Sequence, residues 1–236
     1  MSEWKNKRFW TDVDVAPVDA GFEVHLDGRQ VKTPLKNVLC VPSRPLADAI
    51  AGEWRAQSDE IDPLSMPATR YANAAIEKVT PQRSDVADML ASYGETDLLC
   101  YRALQPDELI ARQAAAWDPM LDWADQTFSA RLNTGNGVMF VEQDPTSLAN
   151  LSAAVHALSV FEVAALHDLV CISGSLVLGL AAARDSHPLD ALWAWSRIDE
   201  EWQIEQWGRD EEADALMESK RLAFENAAQF FAWVKN

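Results

Sequence analysis

The feature that most limits the fold of this chain is a change in the spacing of its apolar residues. Phe22, Val24 and Leu26 alternate with Glu23 and His25, the period of a strand with one buried face. Asp27-Gly28 follows at once, and Val31 and Thr33 resume the alternation beyond it. An Asp-Gly pair between alternating runs predicts a hairpin, because a type I′ turn needs positive φ at both central residues. Val13 and Val15 predict an earlier strand, and Val38-Leu39-Cys40-Val41 a later one between Pro34 and Pro42. After Ser43 the period becomes helical: Leu46, Ala49, Ile50 and Trp54 fall on one face of a helix that Ser43 is placed to cap. Pro63 and Pro67 interrupt the chain again, and nearly everything beyond them has the period of a helix.

This pattern predicts an α+β protein: a small β-rich domain with one helix over residues 1–66, then a larger helical domain over 67–236. Val86, Met89, Leu90 and Tyr93 mark one helix, with Gly94 as its stop. Ile110, Ala114, Trp117, Leu121, Ala124 and Phe128 mark a long amphipathic one. Ser159-Val160-Phe161-Glu162 matches a capping box, and Ala223, Ala227, Phe230 and Val234 mark a last helix. Leu169 to Ala183 reads as a single buried helix. Its run is broken by Ser173, Gly174 and Ser175, and falls short of the roughly 20 residues that span a bilayer.

Charge and cysteine usage exclude several classes of partner. Twenty Lys and Arg against 37 Asp and Glu leave a net charge of −17, which disfavours nucleic acid and anionic membrane surfaces alike. Cys40, Cys100 and Cys171 are widely spaced and odd in number, as expected of reduced thiols in a cytosol-like compartment. Met1-Ser2-Glu3-Trp4-Lys5-Asn6-Lys7-Arg8 lacks the apolar segment of a secretory signal.

No catalytic constellation holds together. Gly174 to Gly179 has the glycine spacing of a phosphate loop, but Leu180 stands where the lysine belongs. His167 and Cys171 share a helix face with Asp168 adjacent; without a further ligand such a set is more often structural than a zinc site. Glu200 and Glu201 are consecutive and point to different faces, so they cannot easily act as a paired acid and base. Neither enzyme activity nor a cofactor is expected. What stands out instead is Arg197 to Gly208, where Asp199, Glu200 and Glu201 lie beside Trp202 and Trp207. Aromatics supply anchoring energy at protein interfaces and charges set register, so these five residues are the candidate partner-binding set. The bland alternative buries both tryptophans in a core and leaves the acids in water.

Ordered segments along the chain carry a family resemblance. They are Leu26-Asp27-Gly28-Arg29 with Thr33-Pro34, Val41-Pro42 with Leu46-Ala47, Glu53-Trp54-x-x-Gln57, and Asp62-Pro63 with Met66-Pro67. Thr96 to Arg102, Gln113 with Trp117-Asp118-Pro119, Ser173-Gly174-Ser175 and Glu200-Glu201-x-Gln203-x-x-x-Trp207-Gly208 complete the set. Together they resemble the assembly chaperone of the F-type ATP synthase catalytic head that binds the α subunit. The resemblance implies a β-rich N-terminal domain and a helical one, and a monomer that needs neither ATP nor a cofactor. It implies that the unassembled α subunit is kept soluble until the β subunit joins, in the bacterial cytoplasm or, in eukaryotic relatives, the mitochondrial matrix. It directs attention to Trp54, flanked by Glu53 and Gln57, and to an acidic position within Asp199-Glu200-Glu201, the first of which is commonly Glu in that family. Trp54 also has a purely structural reading, gluing its helix to the sheet beside Leu46 and Ile50. A scaffold for another partner and a small-molecule enzyme are the rival classes.

Overall fold

The computed structural model describes residues 7–235; the segment Met1–Asn6, on which part of the targeting argument rests, lies outside them. The chain is α+β. A small antiparallel sheet near the N-terminus is followed by helices, ten of them among the described residues.

Strand β2 (Gly21–Leu26) is central in the sheet. β1 (Val13–Val18) pairs with it along its whole length, from Val13 opposite Leu26 to Val18 opposite Gly21. On the other edge β3 (Arg29–Gln30) pairs with its end and β4 (Cys40–Val41) with its start. The Asp-Gly turn has the expected geometry, with φ of 47° at Asp27 and 76° at Gly28. The Asp27 carboxylate also accepts hydrogen bonds from the backbone N–H of Asp12 (2.9 Å) and Thr11 (3.0 Å), fixing the approach to β1. Gly21 is required where the chain enters β2. Its φ is 141°, and a Cβ there would lie 2.3 Å from the Val41 carbonyl oxygen.

Helix α1 (Arg44–Ala56) begins where the period changes, and the Ser43 hydroxyl accepts from Leu46 N–H as its cap. It buries Leu46, Ala47, Ile50 and Ala51. Its last turn is tied to the chain beyond by two polar residues. Glu53 accepts from the N–H groups of Ala68 and Thr69 and from the Thr69 hydroxyl, all within 2.8 Å, capping α2 (Pro67–Ala74). Gln57 is buried, donates to the Ser65 hydroxyl and accepts from Asp62 N–H. Trp54 is half-buried and meets Trp10 edge to face at 5.1 Å.

By its internal contacts the chain forms two compact units. One gathers residues 1–83, 160–165 and 229–236; the other gathers 84–159 and 166–228. The first therefore includes the C-terminal turns of α10 (Glu211–Lys235), where Phe230 and Phe231 are buried and Phe230 packs on Tyr71 at 5.2 Å.

The second unit holds α3 (Arg83–Ser92) from Ser84 on, α4 (Asp107–Phe128), α5 (Pro145–His156), most of α6 (Val160–Ser173), α7 (Leu176–Ala183), α8 (Leu189–Ser196) and α9 (Ile198–Trp207). Its core centres on Trp117 of α4, fully buried, whose indole N–H donates to the Trp195 carbonyl at 2.8 Å while Arg102 stacks on its ring. Two expectations are corrected here. Met89 is not on the inward face of α3, which buries Ala87 and Leu90. Leu169 to Ala183 is two helices, not one. Gly174 takes a φ of 72°, which ends α6, and the Ser175 hydroxyl accepts from Leu178 N–H to start α7. Gly179 then lets the two helices close up, since a Cβ there would lie 2.6 Å from Val170.

Candidate functional site

Helices α4 and α9 frame the site. The apolar spacing that makes α4 a helix leaves Arg112 and Gln113 as neighbours, one exposed and one buried. Gln113 is a buried bridge: its carbonyl accepts from Ala103 N–H at 2.8 Å, and its amide donates to Asp199 at 2.6 Å. Arg112 makes a two-pronged ion pair with Glu205 at 2.7 and 2.9 Å, and its guanidinium lies 5.1 Å from the centre of the Trp202 ring. That pair holds the Glu205 carboxyl below the usual carboxylate range and raises the arginine further. Asp199 and Trp202 are thus anchored to α4 from two successive turns of α9.

The acids occupy the first turn of α9, where the unpaired N–H groups and the helix dipole favour negative charge. Their environments differ. Asp199 is bound to Gln113, and Glu200 is paired with Arg197 one turn before. Glu201 is exposed and, among the described residues, makes no ion pair. Gly208, with a φ of 91°, stops the helix just after Trp207, which is 80% exposed. Trp202 is half-buried, so neither tryptophan is a core residue.

Facing this helix is a loop that periodicity did not single out. Two residues of β5 (Tyr101–Arg102) pair in parallel with β6 (Gly135–Asn136), and the N–H of Gly137 donates to the Arg102 carbonyl at 2.8 Å. That anchor presents Val138, Met139 and Phe140 to solvent, Val138 at 96% exposure, and leaves Leu104 exposed next to Gly137. Between this loop and α9 lies a cleft of about 1000 Å³, lined among others by Tyr101, Gln113, Val138, Asp199, Trp202 and Trp207. Five large apolar side chains on these segments are exposed, Leu104, Val138, Met139, Phe140 and Trp207, and of these Val138 and Trp207 line the cleft. The signal for the missed ones was present, since three consecutive large apolar residues after a glycine-rich loop have neither helix nor strand period to bury them.

Such a surface suits protein recognition. An exposed apolar group beside acidic side chains supplies anchoring area and orientation, while Gln113, Asp199 and Glu205 are held in pairs within the protein. Glu53, Trp54 and Gln57 belong to the first unit and make the contacts of a structural knot. The phosphate-like glycines are also occupied, with Leu180 and the Ser175 hydroxyl buried in the α7 helix and its cap.

The family model described as ATP12 chaperone protein matches residues 7–125. The crystal structure of Atp12 from Paracoccus denitrificans is 48% identical in sequence and superposes with a TM-score of 0.96, covering 98% of this chain and 100% of that one. A point mutant of P. denitrificans Atp12p is equally similar, at 48% identity and a TM-score of 0.96 over 99% of this chain and 100% of that one. The mitochondrial protein atp12 of Schizosaccharomyces pombe is 20% identical over 223 residues, spanning 89% of this chain and 76% of the yeast protein.

Proposed function

Since this chain belongs to the ATP12 chaperone family and is an assembly chaperone of the ATP synthase, we propose that it binds the unassembled α subunit and keeps it from aggregating until the β subunit joins, without ATP. A ring subunit exposes apolar interface before assembly, and such patches aggregate unless covered. The observation that carries the proposal is the exposed apolar set beside the cleft between α9 and the 137–140 loop, whose lining includes Asp199 from the acidic first turn of α9. Trp207 and the loop side chains offer anchors, and Glu201 an ion-pair partner for a lysine or arginine of the client.

Release needs no chemistry in this scheme. The β subunit competes for the same apolar interface of the client, and a moderate affinity lets exchange proceed. ATP independence is supported by the missing loop lysine and by the use of Ser175 as a helix cap. The chaperone acts as a monomer in the bacterial cytoplasm; among the described residues no helix is long and apolar enough to cross a membrane.

Light scattering of purified α subunit diluted from denaturant tests the proposal. An equimolar amount of this protein, without nucleotide, is expected to suppress scattering and to give a one-to-one complex on gel filtration. Undiminished scattering at twofold excess, or suppression only with ATP, would overturn it.

A further inference from the structure

On α6, two side chains converge on one sulfur and a third braces one of them. His167 Nε2 lies 3.8 Å from Cys171 Sγ, one helical turn on. Asp168 Oδ1 lies 2.9 Å from Nδ1 of the same ring. From α3's C-terminal side the Tyr93 hydroxyl reaches the sulfur at 3.5 Å. Cys171 is half-buried and His167 exposed, so the group is open to small molecules.

The order of contacts matters. A carboxylate on Nδ1 fixes the ring tautomer and stabilises an imidazolium, whose other N–H then donates to the sulfur. The Asp168 bond, reinforced by Cys171, raises the His167 pKa to about 10. Burial alone would raise that of Cys171, but the bonds from His167 and Tyr93 outweigh it and bring the thiol below its ordinary value. The other two thiols move the opposite way. Burial pushes Cys100 up to about 12, and burial with the Glu23 charge raises Cys40. Among the described residues no three His, Cys, Asp or Glu are grouped so as to hold a metal ion.

We propose that Cys171 is a peroxide-reactive thiol, a modification site in which His167 is the acid partner and Asp168 and Tyr93 are positioning residues. The sulfur attacks one oxygen of hydrogen peroxide; an S–O bond forms and the O–O bond breaks. Sulfur gives up two electrons and the peroxide is reduced. The departing hydroxide takes the Nε2 proton of His167 and leaves as water. The products are cysteine sulfenic acid, water and neutral histidine.

The full chain is alkylated with iodoacetamide across a pH series and, separately, treated with hydrogen peroxide and dimedone, each site being quantified by mass spectrometry. Cys171 is expected to be the modified site in both, with Cys40 and Cys100 protected. Its alkylation rate should rise less steeply between about pH 7 and 8 than that of a thiol of ordinary pKa, which gains roughly eightfold. In H167Q the steep profile should return and the dimedone adduct should fall at least about fivefold, with the circular dichroism spectrum unchanged; Y93F should lie between, which keeps the test open if one variant misfolds. A steep profile in the wild type, a rate indifferent to H167Q, or no modification of Cys171 would each overturn the proposal.

Discussion

Glu201 differs from its two acidic neighbours in being exposed and, among the described residues, making no side-chain ion pair. Replacing Asp199 would break its 2.6 Å bond to buried Gln113, and reversing Glu200 would set two cations together at Arg197, so both changes mix folding with binding. Glu201→Lys does not. It removes one favourable helix-dipole contact, worth up to about 1 kcal/mol, and leaves every named contact of α9 intact. The expected outcome is a thermal midpoint close to wild type with binding of the α subunit weakened at least about tenfold, since like charges facing each other across an interface cost several kcal/mol. Calorimetric titration beside thermal unfolding checks it. Full-strength binding by a folded E201K would remove that carboxylate from the interface. Trp54 stands in contrast, because its contact is the Trp10 ring and its flanking residues cap and cross-link α1.

At the level of elements, the Asp-Gly hairpin carries a pH signature. Hydrogen bonds from Asp12 and Thr11 N–H hold the Asp27 carboxyl below its ordinary value of 3.8. A carboxyl depressed on folding stabilises above its unfolded pKa, and that contribution is lost as pH falls through the folded one. Asp27→Asn keeps a residue that tolerates the left-handed backbone and still offers one acceptor oxygen, but cannot titrate. Unfolding in urea should therefore show the wild type more stable near neutrality, with the difference from D27N shrinking below about pH 4; a difference that widens on acidification would contradict the assignment. The α6–α7 break is the other lesson at this scale. Ser173-Gly174-Ser175 lay in plain view within an apolar run, yet hydropathy cannot tell one long buried helix from two short ones. The difference is a single φ of 72° and the Ser175 cap.

For the whole molecule, the end of the chain is part of the unit where it begins. Phe230 is fully buried there against Tyr71, so Phe230→Ala should cost about 3–5 kcal/mol. Urea unfolding monitored by circular dichroism tests this, and a loss under about 1 kcal/mol would mean that the C-terminal turns are peripheral. The boundary we propose at residue 66 follows the sequence, whereas packing gathers residues by proximity in space. No periodicity reports that segments 160–165 and 229–236 join the first unit.

Sequence alone determined what depends on near neighbours. Alternation set the strands, and Asp27-Gly28 set the hairpin, because side-chain period and turn φ are local properties. The stripe from Ile110 to Phe128 set α4 for the same reason. The acids and tryptophans of Arg197 to Gly208 were legible as a candidate site, and their ordered motifs carried the family. Tertiary structure decided which of them face water. It placed Gln113 under Asp199 across 86 positions, Arg112 on Trp202, and Val138 opposite Trp207, and so made a cleft from segments whose spacing holds no common signal. Such contacts are fixed by the packing of whole helices around Trp117, a sum over many residues that no short window contains.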